Sequence, residues 1–169
     1  SIEQPIPYHN VNVTGTHKLL NAAKIAKVKK FVFSSSSSVY GNASTPTSES
    51  HKLNPMSPYA LHKLIGEQYC KLFSELYDID TVCLRYFNVY GDRMALDGDQ
   101  RRDYTFVGDV IAANILVATS TKEFKGEVYN VGNGDNVSVN ELVDMMGGKK
   151  SYGKKVIEPF ETLASTAKL

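Results

Sequence analysis

Between Asn10 and Lys27 the positions Val13, Thr16, Leu20 and Ala23 recur at helical spacing, which predicts a helix that ends before Lys29-Lys30. Phe31-Val32-Phe33 is then a short apolar run and reads as a buried strand. It passes directly into five serines, Ser34 to Ser38, closed by Val39-Tyr40-Gly41. A serine run can be a flexible linker, but its place between a buried strand and an apolar pair argues for a strand end instead. Residues Asn42 to Pro55 are polar, with two prolines, and read as an exposed loop.

Ser57-Pro58 predicts the start of a second helix, with serine as N-cap and proline in the first turn. Leu61, Ile65, Leu72 and Leu76 form one apolar stripe on it, and Gly66, Cys70 and Phe73 another. Two stripes predict burial on two sides. Thr81 to Leu84 reads as a second buried strand that leads into Arg85-Tyr86-Phe87-Asn88-Val89-Tyr90-Gly91. Further on, Tyr104 to Val107 suggests a short strand, Asp109 to Thr119 a helix, Glu127 to Val131 a strand and Gly132 to Asp135 a turn. Ser138 and Glu141 have the spacing of a capping box for a helix through Met146. Helix and strand alternate, and the strands lack a polar face. The expected fold is therefore α/β, a doubly wound parallel sheet.

The 169 residues suffice for one domain with its own core. Nineteen basic and eighteen acidic residues leave a formal charge of +1, which excludes a broad basic nucleic-acid face and an acidic disordered chain. No apolar run nears the roughly twenty residues of a membrane span. Ser1 to Asn10 is polar, and no signal peptide is expected there. Cys70 and Cys83 lie in apolar patterns and read as buried free thiols, which suits a reducing, cytoplasmic setting. His9, His17, His51 and His62 lack the spacing of metal ligands, so no metal site is expected.

The sharpest chemical feature is Tyr59 and Lys63, four apart at a predicted helix start. Residues at i and i+4 share a face, so phenol and ammonium can serve one site. A phenol titrates near pH 10, but a nearby cation and a helix N-terminus both favour the phenolate. Such a pair can act as general base toward a hydroxyl. The serine-rich strand end upstream belongs to the crevice that open α/β sheets form at their strand C-termini.

Ser, Tyr and Lys in this order resemble the catalytic set of the short-chain dehydrogenase/reductase superfamily. Asn12 to Thr16, Phe33 to Gly41, Ser57 to Lys63 and Arg85 to Gly91 resemble its extended, nucleotide-sugar branch. Arg102 to Val107 with Asp109, and Glu127 to Gly132, resemble two further motifs. The strongest likeness is to nucleotide-sugar 4-epimerases of the UDP-glucose 4-epimerase type. The resemblance implies NAD as cofactor, a UDP-sugar substrate, a homodimer and a partial Rossmann-like fold. Residues 1–88 would be the C-terminal half of the NAD-binding region. Residues 89–169 would hold the remainder, with a smaller substrate-binding region. It further implies Ser36, Tyr59 and Lys63 as the catalytic set. Ser34, Tyr86 and Phe87 would lie with Tyr59 and Lys63 at the cofactor. Ser36, Ser37, Ser38, Asn88 and Arg102 would lie at the substrate.

Dehydratases of the same branch carry an Asp and a Glu just after the catalytic hydroxyl, and decarboxylases retain a carboxylate at the second position. Here those positions are Ser37 and Ser38, so simple epimerisation is the implied reaction. A related dehydratase, decarboxylase or reductase, or an inactive binding relative, are the alternatives. The chain departs from the pattern in three places. No glycine-rich pyrophosphate turn precedes Asn10. A longer segment is expected between Gly91-Asp92-Arg93-Met94 and Asp97-Gly98-Asp99. An arginine-bearing loop is expected at Glu158-Pro159-Phe160-Glu161. All three are ligand-facing, and they suggest a chain that has lost segments or a truncated product.

Overall fold

A computed structural model of the chain describes residues 1–90, 100–145, 147 and 159–168. Met146, the stretch from Gly91 to Asp99 where a longer segment is expected, and Glu158 lie outside the described residues. Among the described residues no helix is long and apolar enough to cross a membrane, and no cluster of three metal-ligating side chains occurs.

The first helix starts earlier than its apolar pattern predicts. Helix α1 (Pro5–His9), a π-helical segment (Asn10–Gly15) and α2 (Thr16–Ile25) follow one another with helical angles at their junctions. Pro5 and Pro7 fall at the first and third helical positions, where backbone N–H groups have no intrahelical acceptor, so neither breaks the helix. In the wide segment, side chains bond back to carbonyls one turn earlier: Asn12 Nδ2 to Tyr8 O at 3.0 Å and Thr16 Oγ1 to Asn12 O at 2.7 Å.

Strands β1 (Lys30–Ser36), β2 (Asp80–Tyr86) and β6 (Glu127–Val131) form a parallel sheet in the order β1-β2-β6. Both β1 and β2 run further than their apolar cores predict, and β1 includes three of the serines. Alternate residues of a strand face opposite sides. Val82 and Leu84 of β2 pack beneath α4 (Val107–Thr119), with Val110, Ala113 and Val117. Cys83 faces the other way, against Leu20, Ala23, Phe33, Cys70 and Phe73 of α2, β1 and α3 (Pro58–Leu76). Each fully buried Val or Leu in these layers contributes about 1.5–3 kcal/mol. Cys70 and Cys83 are free and buried, and their mutual hydrogen bond and burial push the Cys83 thiol up.

Ser57 caps α3 as its sequence predicts, accepting from Ala60 N at 3.2 Å. Gly66 lets α3 settle on β1: a Cβ there would lie 2.2 Å from the Phe33 ring. The stripe Gly66, Cys70 and Phe73 is buried as predicted, but the other is not covered, with Leu61, Leu72 and Leu76 at 46%, 45% and 60% exposure.

The second half adds small elements around the sheet's C-terminal edge. Strand β3 (Val89–Tyr90) pairs in parallel with β5 (Thr105–Phe106), and β4 (Arg101–Arg102) pairs antiparallel with β7 (Val137–Ser138). The capping box forms on α5 (Val139–Met145): Glu141 N donates to Ser138 Oγ, and Ser138 N to Glu141 Oε2. Buried Asp103 ties this region together. It accepts from the backbone N–H groups of Asn133, Gly134 and Ala164.

Candidate active site

Parallel pairing sets the strand ends side by side, with Ser36 level with Tyr86 and Tyr86 with Val131. The N-terminus of α3 lies beside them. Between these ends opens a cleft of about 1050 Å³. Ser36, Ser37, Ser38, Tyr59, Tyr86, Phe87, Asn88 and Arg102 all line it. Ser34 and Lys63 stand behind its wall.

Lys63 extends back along α3 and donates to the Ser34 carbonyl at 2.9 Å. Its ammonium lies 5.6 Å from the Tyr59 ring centre and 5.3 Å from that of Phe33. Burial lowers the pKa of this amine. Ser36 begins the 3₁₀ turn Ser37–Tyr40, its Oγ accepting from Ser38 N at 3.2 Å. The Ser38 hydroxyl is buried at the cleft without a partner among the described residues.

The remaining predicted residues are more committed to the protein. Phe87 is 2% exposed and packs 6.4 Å from Tyr40, ring to ring. Asn88 accepts Thr105 N on its carbonyl and Thr162 Oγ1 on its side chain. Arg102 is buried, and its guanidinium donates to Phe160 O at 3.1 Å and Gln100 Oε1 at 2.7 Å. His62, inside the Tyr59–Lys63 interval, does not line the cleft; it is buried edge-on to His9 with ring centres 5.3 Å apart.

Strand parity delivers two groups that sequence reasoning missed. On the α4 side, the Tyr86 hydroxyl meets Ser34 Oγ at 3.2 Å and the Asn114 amide at 2.8 and 3.0 Å. On the α3 side, Ser35 Oγ donates to Glu67 Oε1 at 2.5 Å. Arg85 grips the same carboxylate with two bonds, Nε to Oε1 at 2.8 Å and Nη2 to Oε2 at 2.6 Å. Arg85 Nη1 donates to the Tyr40 hydroxyl, which donates to Asn130 Oδ1 at 2.6 Å. Burial alone would lower the pKa of Arg85, but the Glu67 carboxylate more than offsets it and holds the guanidinium charged. Burial raises the pKa of Tyr40, so its phenol stays neutral and can donate. The available signals were Arg85 inside a buried strand and Glu67 four residues after Lys63.

The sequence profile of the NAD dependent epimerase/dehydratase family matches residues 1–97 and 93–132. The two matches overlap at residues 93–97. A putative UDP-glucose 4-epimerase of Methanocaldococcus jannaschii is 37% identical over 172 residues, covering 86% of this chain and 55% of that protein. A UDP-N-acetylglucosamine 4-epimerase structure from Methanobrevibacter ruminantium M1, in complex with UDP-N-acetylmuramic acid, superposes with TM-score 0.87 at 32% identity. It covers 99% of this chain and 64% of that one. A UDP-glucuronic acid 4-epimerase from Bacillus cereus, in complex with UDP-glucuronic acid and NAD, gives TM-score 0.85 at 34% identity, with 96% and 61% covered. The chain thus spans between half and two thirds of the length of these relatives. With the matched profile covering more than half of its residues, the chain belongs to the NAD-dependent epimerase/dehydratase family.

Proposed function

We propose that the protein of which this chain is part interconverts the C4 epimers of a UDP-hexose, using NAD. The carrying observation is the placement of Tyr59 on the cleft with Lys63 one turn behind it, at the strand ends that bear Ser36 and Tyr86. The residues present fit the nicotinamide half of NAD. Among the described residues Lys63 has one hydrogen-bond acceptor, the Ser34 carbonyl, and keeps two protons for a ribose diol. Tyr86 and Phe87, on the cleft, would border the ring, with Ser34 bonded to the Tyr86 hydroxyl. Residues 1–88 would form this nucleotide side, and residues 89–169 would lend β6 to the sheet and build the sugar-nucleotide side.

Bound NAD would supply the redox chemistry, loss of hydride from sugar C4 and its return to the opposite face. Ser36 holds the O4 hydroxyl by a hydrogen bond. Tyr59, on the cleft with Lys63 one turn behind it, takes the O4 proton and gives it back after the 4-keto sugar has turned. Asn88 and Arg102 lie where a diphosphate would cross the cleft, and Ser37 and Ser38 meet the sugar. Ser38, with its unpartnered hydroxyl, is the readiest donor among them. No carboxylate follows Ser36, which favours epimerisation over elimination of water. The uncovered leucines of α3 suit a homodimer built on that helix and the 5–25 helical stretch. The two free thiols suit a cytoplasmic enzyme.

The test is incubation of the full-length protein with UDP-glucose, UDP-N-acetylglucosamine and UDP-glucuronate, followed by chromatography and mass spectrometry. An isobaric product supports the reading. A product lighter by water or carbon dioxide, or no product at all, sinks it.

A further inference from the structure

Helix α4 contributes nothing to the lining of the cleft, yet one of its residues is bound to a residue that does. From Val110 to Ala118 the helix is apolar except for Asn114. Asparagine is a poor helix former, and its side chain competes for backbone partners. Here the amide has a complete set of bonds. One Nδ2 proton goes to Val110 O, one turn back, at 2.7 Å, and the other to the Tyr86 hydroxyl at 2.8 Å. With its oxygen occupied by that donor, the Tyr86 O–H can itself donate to Asn114 Oδ1 at 3.0 Å or Ser34 Oγ at 3.2 Å. The bond to Val110 fixes the amide plane, and the amide fixes the phenol. Ser34 carries the chain onward, since its carbonyl is the seat of the Lys63 ammonium.

Resting on the reading of the cleft as a nicotinamide site, we propose that Asn114 is a positioning residue. It holds the Tyr86 ring against the nicotinamide end of the cleft and, through Ser34, steadies the carbonyl that orients Lys63. A tyrosine hydroxyl at a cofactor site invites a role in proton transfer. In this structure it is a tether: its partners are two protein side chains, Asn114 and Ser34.

The test is a double-mutant cycle on the full-length protein with Tyr86→Phe, Asn114→Leu and the pair together. Asn114 is half-buried on a surface helix, and leucine is a better helix former, so the variant folds; thermal melting followed by circular dichroism verifies this. The first readout is NAD affinity, by titration of cofactor-stripped protein. Each single variant should weaken binding about five- to tenfold, the worth of one hydrogen bond, and the double variant should weaken it no further. The second readout is turnover: kcat falls while KM for the nucleotide sugar stays, and reduced nicotinamide accumulates on the protein in near-ultraviolet absorbance. Wild-type NAD affinity in Asn114→Leu, or losses that multiply in the double variant, overturns the inference alone. A wild-type protein that binds no NAD overturns the inference and the nicotinamide reading together.

Discussion

Ser34 and Lys63 are joined behind the cleft wall, carbonyl to ammonium at 2.9 Å, with Tyr59 one turn before the lysine. The bond holds the amine in a half-buried place that lowers its pKa. A lysine whose folded pKa lies below its unfolded value binds fewer protons in the native state. Its contribution to stability is therefore unfavourable at neutral pH and is relieved as pH rises from the folded toward the unfolded pKa. Lys63→Met should raise the melting temperature at neutral pH while removing turnover, and the gain should shrink as pH rises through that window. A melting temperature that drops at neutral pH would count against this account.

Tyr59→Phe removes one hydroxyl from the cleft surface. If Tyr59 moves the O4 proton, kcat should fall on the order of 10²–10⁴-fold. The fold and NAD affinity should persist, by circular dichroism and cofactor titration. Near-wild-type kcat would exclude Tyr59 as the base.

The buried pair Glu67–Arg85, at 2% and 3% exposure, leaves an uncompensated charge if one member is removed. Glu67→Leu should lower stability by about 3–5 kcal/mol in urea unfolding. Glu67→Leu with Arg85→Met should recover most of that loss, because no buried charge then remains. A double variant as unstable as the single one would show that the pair acts chiefly by its shape.

Gly66→Ala puts a methyl group into the Phe33 ring at 2.2 Å. Such overpacking typically costs about 1–3 kcal/mol. Phe33→Leu in the same chain should return part of it. Denaturant midpoints of Gly66→Ala, Phe33→Leu and the double variant check this; a double variant no more stable than Gly66→Ala would count against it.

Much of the fold was legible because the apolar runs are short and buried on both faces. The caps Ser57 and Ser138–Glu141 form as their spacing predicts. The start of the first helix was not legible, since Pro5 and Pro7 look like breakers until they fall in the one turn that needs no donors. In the site, Tyr59 and Lys63 announce themselves by spacing. Ser34, Ser35 and Ser36 do not, because identical letters hide which face each takes. Ser35 turns to Glu67 and Ser34 to Tyr86, and only the register of β1 against β2 separates them. Arg102 lines the cleft, and its residue type alone does not show its structural bonds. A guanidinium suggests phosphate, yet in the structure it also braces the Phe160 carbonyl and the Gln100 side chain.

That register limits how the gene can vary. In β1 and β2, neighbouring residues serve opposite sides of the sheet, Ser35 and Arg85 one side, Ser34 and Tyr86 the other. A codon gained or lost early in β2 would interchange the sides at its later positions, sending a guanidinium toward α4 and a phenol toward Glu67. A point change in these strands alters one residue's contacts, while a length change alters those of a whole run. Insertions and deletions should therefore collect in the loop at 42–55, where added residues change no strand's parity.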